Sequence, residues 1–131
     1  IMYSDDVIAL NPELQQPVTY RTKAERTRKA NARPDGYRSQ LEADYAAQLA
    51  AQGIAFHYEV LNLNIGEDLA YTPDFDYTDA DGVMTVVELK GNAKMKNARD
   101  SLTRFKVAAA LYPRWRWLWI ESGQIKYHYG A

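Results

Sequence analysis

The chain has 131 residues, 47% hydrophobic and 25% charged, with a formal net charge of −1 and no cysteine. That length and composition suit one globular domain with a core of its own. They exclude disulfides, thiolate metal sites and a thiol nucleophile, and no apolar run reaches the roughly 18 residues of a membrane-spanning helix. Asp5 and Asp6 come early and no hydrophobic block follows them, which is not the shape of a signal peptide. The expectation is a cytoplasmic protein with no membrane partner.

The small net charge conceals a segregated pattern. Arg21–Arg33 carries six basic residues against Glu25 alone, Asp35–Glu88 carries eleven acids with Arg38 as its one base, and Lys90–Lys106 carries six bases against Asp100. An acidic middle between two basic stretches suits a protein that brings a cation and a polyanion together. Solvated surface charge is the plainer reading of any one of these clusters.

Residues 1–34 show no clean period and contain Pro12, Pro17 and Pro34. They read as a basic N-terminal arm, with a short helix over 22–31, preceding a domain over 35–131. "YRSQLEADYAAQLAAQ" predicts a helix from about Tyr37 to Gln52, stopped by Gly53. "IAFHYEVLNLNI" alternates and predicts a strand. "AYTPDFDYT" predicts a second strand, started by Pro73. "DADG" is a turn, and "VMTVVELKG" is apolar enough for a central strand.

A helix from about Asn97 to Leu111 follows, with Ala98, Leu102, Phe105, Ala109 and Tyr112 forming one apolar stripe before Pro113. "WRWLWIES" and "QIKYHYG" complete the chain as two strands joined around Gly123. The order α-β-β-β-α-β-β predicts an α/β fold, a mixed sheet flanked by helices. Trp115, Trp117 and Trp119 share a strand face and are expected to pack against a helix rather than stack on bases.

Three charges fall inside strands that otherwise read as buried, where an unpaired charge is costly. Strand alternation puts Glu88 and Lys90 on one side with Leu89 opposite, and Asp74 and Asp76 on one face with Phe75 and Tyr77 on the other. If the "DADG" turn pairs the two strands, Asp74, Glu88 and Lys90 converge at one end of the sheet. Glu42, at the margin of the first helix's apolar face, can join them. Three carboxylates with no cysteine and few histidines suit a hard cation such as Mg²⁺.

"YTPDF…ELKG" resembles the PD-(D/E)XK nuclease signature. "YRSQLE" at 37–42, "GIAFHYE" at 53–59, "YTPDF" at 71–75 and "ELKG" at 88–91 together resemble, in order and spacing, the phage endonuclease I family of Holliday junction resolvases. "RFKVAAALYPRWRWLWI" is similar to a related group of small phage nucleases. The resemblance covers about residues 36–121 and implies a restriction-endonuclease-like core.

The resemblance also implies roles. Asp74, Glu88 and the Leu89 backbone carbonyl would ligate Mg²⁺, for which Mn²⁺ substitutes. Glu42 would complete the acidic site, and Lys90 would position the attacking water and stabilise charge on the phosphate. His57 stands where the family has a further acid. Symmetric junction cleavage needs two active sites, which makes a homodimer an open expectation.

Candidate DNA contacts are Arg26, Arg28 and Lys29 in the basic run, Lys94 and Lys96 after the third strand, Arg99 and Lys106 on the second helix, and Arg38. Arg38 has pairing with Glu42 as its alternative. The expected activity is that of a metal-dependent endodeoxyribonuclease, selective for branched DNA through its shape and deformability. The alternatives are a nickase with little preference and a non-catalytic DNA-binding phage accessory protein.

Overall fold

The computed structural model describes residues 3–12, 18–20, 33–91 and 98–131. Its elements are α1 (Asp5–Leu10), β1 (Val18–Tyr20), α2 (Gln40–Ala51), β2 (Phe56–Tyr58), β3 (Leu61–Gly66), β4 (Leu69–Tyr71), β5 (Phe75–Thr78), β6 (Met84–Lys90), α3 (Ala98–Leu111), β7 (Arg116–Glu121) and β8 (Gln124–Gly130). They form an α/β fold with a five-stranded mixed sheet in the order β2-β5-β6-β7-β8 and a three-stranded sheet in the order β1-β3-β4. Within the larger sheet only β6 and β7 run parallel, with α3 between them in the chain.

Alternation along β6 builds two cores. Met84 and Val86 face one side, where Trp115, Trp117 and Trp119 pack with Phe105, Ala108 and Ala109 of α3 and with Leu61, Leu63 and Ile65 of the small sheet. Val87 and Leu89 face the other side, with Phe75, Leu118 and the α2 residues Ala46 and Leu49. The tryptophans therefore serve as packing, as expected. The "DADG" hairpin also forms, with Phe75 opposite Val87 and Thr78 opposite Met84. Ser122 and Gly123 both lie in the left-handed region, which gives the β7–β8 turn the twist its strands require.

Three expectations are corrected. The two strands predicted over 54–65 and 70–78 each divide, because Glu59 adopts φ 51 and Asp74 follows Pro73 outside any strand. Their halves belong to different sheets. The first helix starts at Gln40, since Ser39 is its N-cap and accepts from the Glu42 N–H, so Arg38 precedes the helix rather than lying on it. The described parts of the region read as an N-terminal arm are structured and joined to the domain. They form α1, and a β1 strand paired with β3, with Tyr3 buried in the core. Six and three residues are too few to display a period. The expected helix over 22–31 lies outside the described residues. No helix among the described residues is long and apolar enough to cross a membrane.

Phe105 is fully buried and touches Trp117, Trp119 and Tyr129. Phe105→Ala is expected to lower unfolding free energy by about 3–5 kcal/mol in urea titration, whereas a loss below about 1 kcal/mol would show that α3 is not locked to the sheet through this ring.

Candidate metal centre where the chain crosses between sheets

The chain passes from the large sheet to the small one at Glu59–Val60 and returns at Thr72–Asp74. The two crossings are tied together by the Glu59 N–H, which donates to the Asp74 carbonyl at 2.9 Å. A left-handed conformation costs a non-glycine residue about 1–2 kcal/mol. Strain of this kind tends to collect at functional sites, and Glu59 holds it in a position where its side chain is 2% exposed.

From α2, the Ser39 cap sets Glu42 in the first turn, where the helix N-terminus favours a carboxylate. The Ser39 hydroxyl donates to Glu42 Oε1 at 3.1 Å. Carboxylate oxygens of Glu42, Glu59 and Asp74 all lie within 4.8 Å of one another. Arg38 Nη1 donates to Glu59 Oε1 at 3.1 Å, while Glu59 Oε2 is buried with no hydrogen-bond partner among the described residues.

Asp74 also reaches the end of β6. Its Oδ2 accepts from the Leu89 N–H at 2.8 Å, and its carboxyl is close enough to that of Glu88 for the two to shift each other's proton affinity. Glu88 is buried, accepts from the Tyr71 hydroxyl, and has Lys90 Nζ 3.5 Å from its Oε2. Lys90 Nζ is also 3.4 Å from Ser101 Oγ on α3. Asp74 thus stands between Glu42 and Glu59 on one side and Glu88 and Lys90 on the other.

The electrostatics follow from burial and repulsion. Burial, then the Asp74 carboxylate, push the Glu42 carboxyl up from 4.5 to about 7, partly offset by the Ser39 hydroxyl. Asp74 is raised well above the usual carboxylate range by burial and by Glu88. Glu88 is raised by burial, against the lowering influence of Lys90 and its hydrogen bonds. Burial and the Glu88 charge raise the Tyr71 phenol, which therefore stays a donor.

Of the expected residues, Asp74, Glu88 and Lys90 come together as the alternation requires, and Glu42 joins through Asp74 rather than through Glu88. Leu89 meets Asp74 through its N–H. Arg38 pairs with Glu59 and not with Glu42 as the alternative supposed. Arg99 and Lys106 are exposed on α3. Arg26, Arg28, Lys29, Lys94 and Lys96 lie outside the described residues. Asp76 is drawn away from the cluster, since it accepts from the Tyr3 hydroxyl and lies 3.1 Å from His57 Nδ1.

Glu59 and Tyr71 were missed by the sequence reading. Glu59 ends the "GIAFHYE" block, and no glycine or asparagine marks the left-handed break that turns it inward. Tyr71 stands three residues before Asp74, on a strand that looked continuous with it.

The donor set fits a hard divalent cation. Three oxygen-bearing acids converge, one buried oxygen has no partner among the described residues, and burial and mutual repulsion raise Glu42 and Asp74, which a positive charge at the cluster would relieve. Because the folded Glu42 binds a proton more tightly than in the unfolded chain, its contribution is full below about pH 4.5 and is lost as pH rises through about 7, and Asp74, raised by burial and Glu88, acts in the same direction. In a divalent-free buffer the melting temperature is expected to fall by several degrees between about pH 5 and pH 8. Glu42→Gln should flatten this fall, and Mg²⁺ should restore stability most at the alkaline end. A profile unchanged by Glu42→Gln would contradict the assignment.

Comparisons with known family models, with curated proteins and with solved structures find no match to this chain.

Proposed function

We propose that the protein is a metal-dependent endodeoxyribonuclease of the PD-(D/E)XK type, with a restriction-endonuclease-like core, that hydrolyses phosphodiester bonds in branched DNA. One observation carries the reading: Asp74 is flanked by Glu88 and Lys90 on one side and by Glu42 and Glu59 on the other, with a buried oxygen of Glu59 unpartnered among the described residues. The resemblance of the "YRSQLE", "GIAFHYE", "YTPDF" and "ELKG" blocks to junction resolvases supports it. So does the place of β6 at the centre of the large sheet, with Glu88 and Lys90 at its end.

Asp74 and Glu88, with the Leu89 carbonyl, would hold Mg²⁺, and Glu42 would complete the acidic shell. A bound ion supplies a water nucleophile at neutral pH and neutralises charge on the phosphate. The protein's own residues do the positioning. Tyr71 donates to Glu88 and fixes its carboxylate plane. The Leu89 N–H does the same for Asp74. Lys90 holds an ammonium group between Glu88 and Ser101, where it meets a phosphate oxygen and orients the attacking water. The site reads phosphate rather than base, so selectivity for branched DNA rests on shape.

Incubation with a four-way junction, a nicked duplex and a plain duplex, in Mg²⁺ and in EDTA, tests this. Mg²⁺-dependent cleavage of the junction in preference to both duplexes is expected. Equal nicking of all three would replace junction selectivity with a general nickase, and binding without cleavage would leave an accessory protein. Glu88→Gln and Lys90→Ala are each expected to lower the cleavage rate at least ~100-fold while DNA binding persists. Full activity in either variant would remove that residue from the site.

A further inference from the structure

Beyond the acidic centre, a second group of cations gathers at the free edge of the large sheet. The register of β7 against β8 runs Trp119↔Tyr127 and then Ile120↔Ile125, so Lys126 is the extra residue of a bulge. Strict alternation would put Lys126 and Tyr127 on opposite faces, but a bulge re-aims a side chain. Lys126 Nζ sits 5.6 Å from the Tyr127 ring centroid, and Lys106 Nζ, coming from α3, sits 5.3 Å from the same ring. Each contact is a cation–π attraction, and Tyr127 thereby holds two like charges at one ring. Glu121 lies 2.9 Å from Lys126 and offsets part of that charge.

The pair is continuous with the candidate centre. Tyr127 packs edge-to-face on Trp119 at 6.4 Å, and the Trp119 ring carries Lys90 Nζ 5.7 Å from its centroid. Lys90, Trp119, Tyr127 and the two outer lysines form one row, leading from the acidic end of β6 across β7 to the exposed β8. Two ammonium groups on a half-exposed ring at a sheet edge suit an anion. A row of such cations starting at a phosphate-handling lysine suits a polyanion with repeated phosphates.

We propose that Lys106 and Lys126, held by Tyr127, bind the sugar–phosphate backbone of the nucleic-acid strand whose reacting phosphate lies at Lys90. This inference rests on the nuclease reading above. The contact carries no sequence information and is read as salt-dependent affinity. Both lysines engage the Tyr127 ring, whose role here is to position them.

The test is fluorescence anisotropy of a labelled duplex oligonucleotide in EDTA over a range of salt concentrations. Each neutralised phosphate contributes about 0.9 to the slope of log affinity against log salt. Lys106→Ala combined with Lys126→Ala is expected to weaken binding roughly tenfold and make the slope shallower by about 2. Glu121→Gln, which releases Lys126, is expected to tighten binding. Wild-type affinity and slope in the double variant, with wild-type cleavage intact, would overturn the backbone track and leave the nuclease reading standing. Failure of the wild-type protein both to bind and to cleave DNA would sink the two together.

Discussion

The structure turns on one unfavourable arrangement, the crowding of acidic groups that water scarcely reaches. Carboxylate oxygens of Glu42, Glu59 and Asp74 lie within 4.8 Å of one another, and Asp74 is also raised by the nearby Glu88, a fourth acid. Like charges this close, away from water, cannot all ionise without opposing charge. Arg38 and Lys90 supply some of it, yet Glu42 and Asp74 still hold protons more tightly than carboxyls in water do. Folding tolerates the arrangement because hydrogen bonds from Ser39, Tyr71 and the Leu89 N–H fix three of the carboxyls.

Much of the local architecture follows from assembling that cluster. Four elements contribute to it: the first turn of α2, the ends of β2 and β6, and the approach to β5. They meet because the ribbon of β2–β3 against β4–β5 changes sheet at one level, where a left-handed Glu59 stands beside Asp74. Moving either crossing by one residue would reverse the faces of the side chains that follow it. The aromatic core of Trp117, Trp119 and Phe105 stands behind Glu88 and Lys90 and gives the charged end of β6 a rigid wall.

How far the sequence discloses this depends on the range of each signal. Period-2 alternation is local, and it placed Glu88 with Lys90 and set Phe75 against Asp74 and Asp76. The apolar stripe of α3 and the tryptophan strand behave as their spacing implies. Glu42 is legible as a marginal position, and the Ser39-x-x-Glu42 pattern is the capping signal that sets the helix start at Gln40. The break at Glu59 was not legible, because a left-handed glutamate carries no residue signature and is imposed by the sheet change around it. The bulge at Lys126 likewise exists only in the pairing of β8 with β7. Pairing with the small sheet also explains why 18–20 escaped notice.

The central claim is that a divalent cation completes this acidic cluster, and calorimetric titration of Mn²⁺ into divalent-free protein near pH 7 tests it most directly. Repeating the titration in two buffers of different ionisation enthalpy counts the protons released. The account predicts saturable binding with proton release, because an arriving ion displaces the protons that Glu42 and Asp74 hold, and it predicts loss of that binding in Asp74→Asn. Absence of saturable binding, or identical binding in wild type and Asp74→Asn, would contradict it.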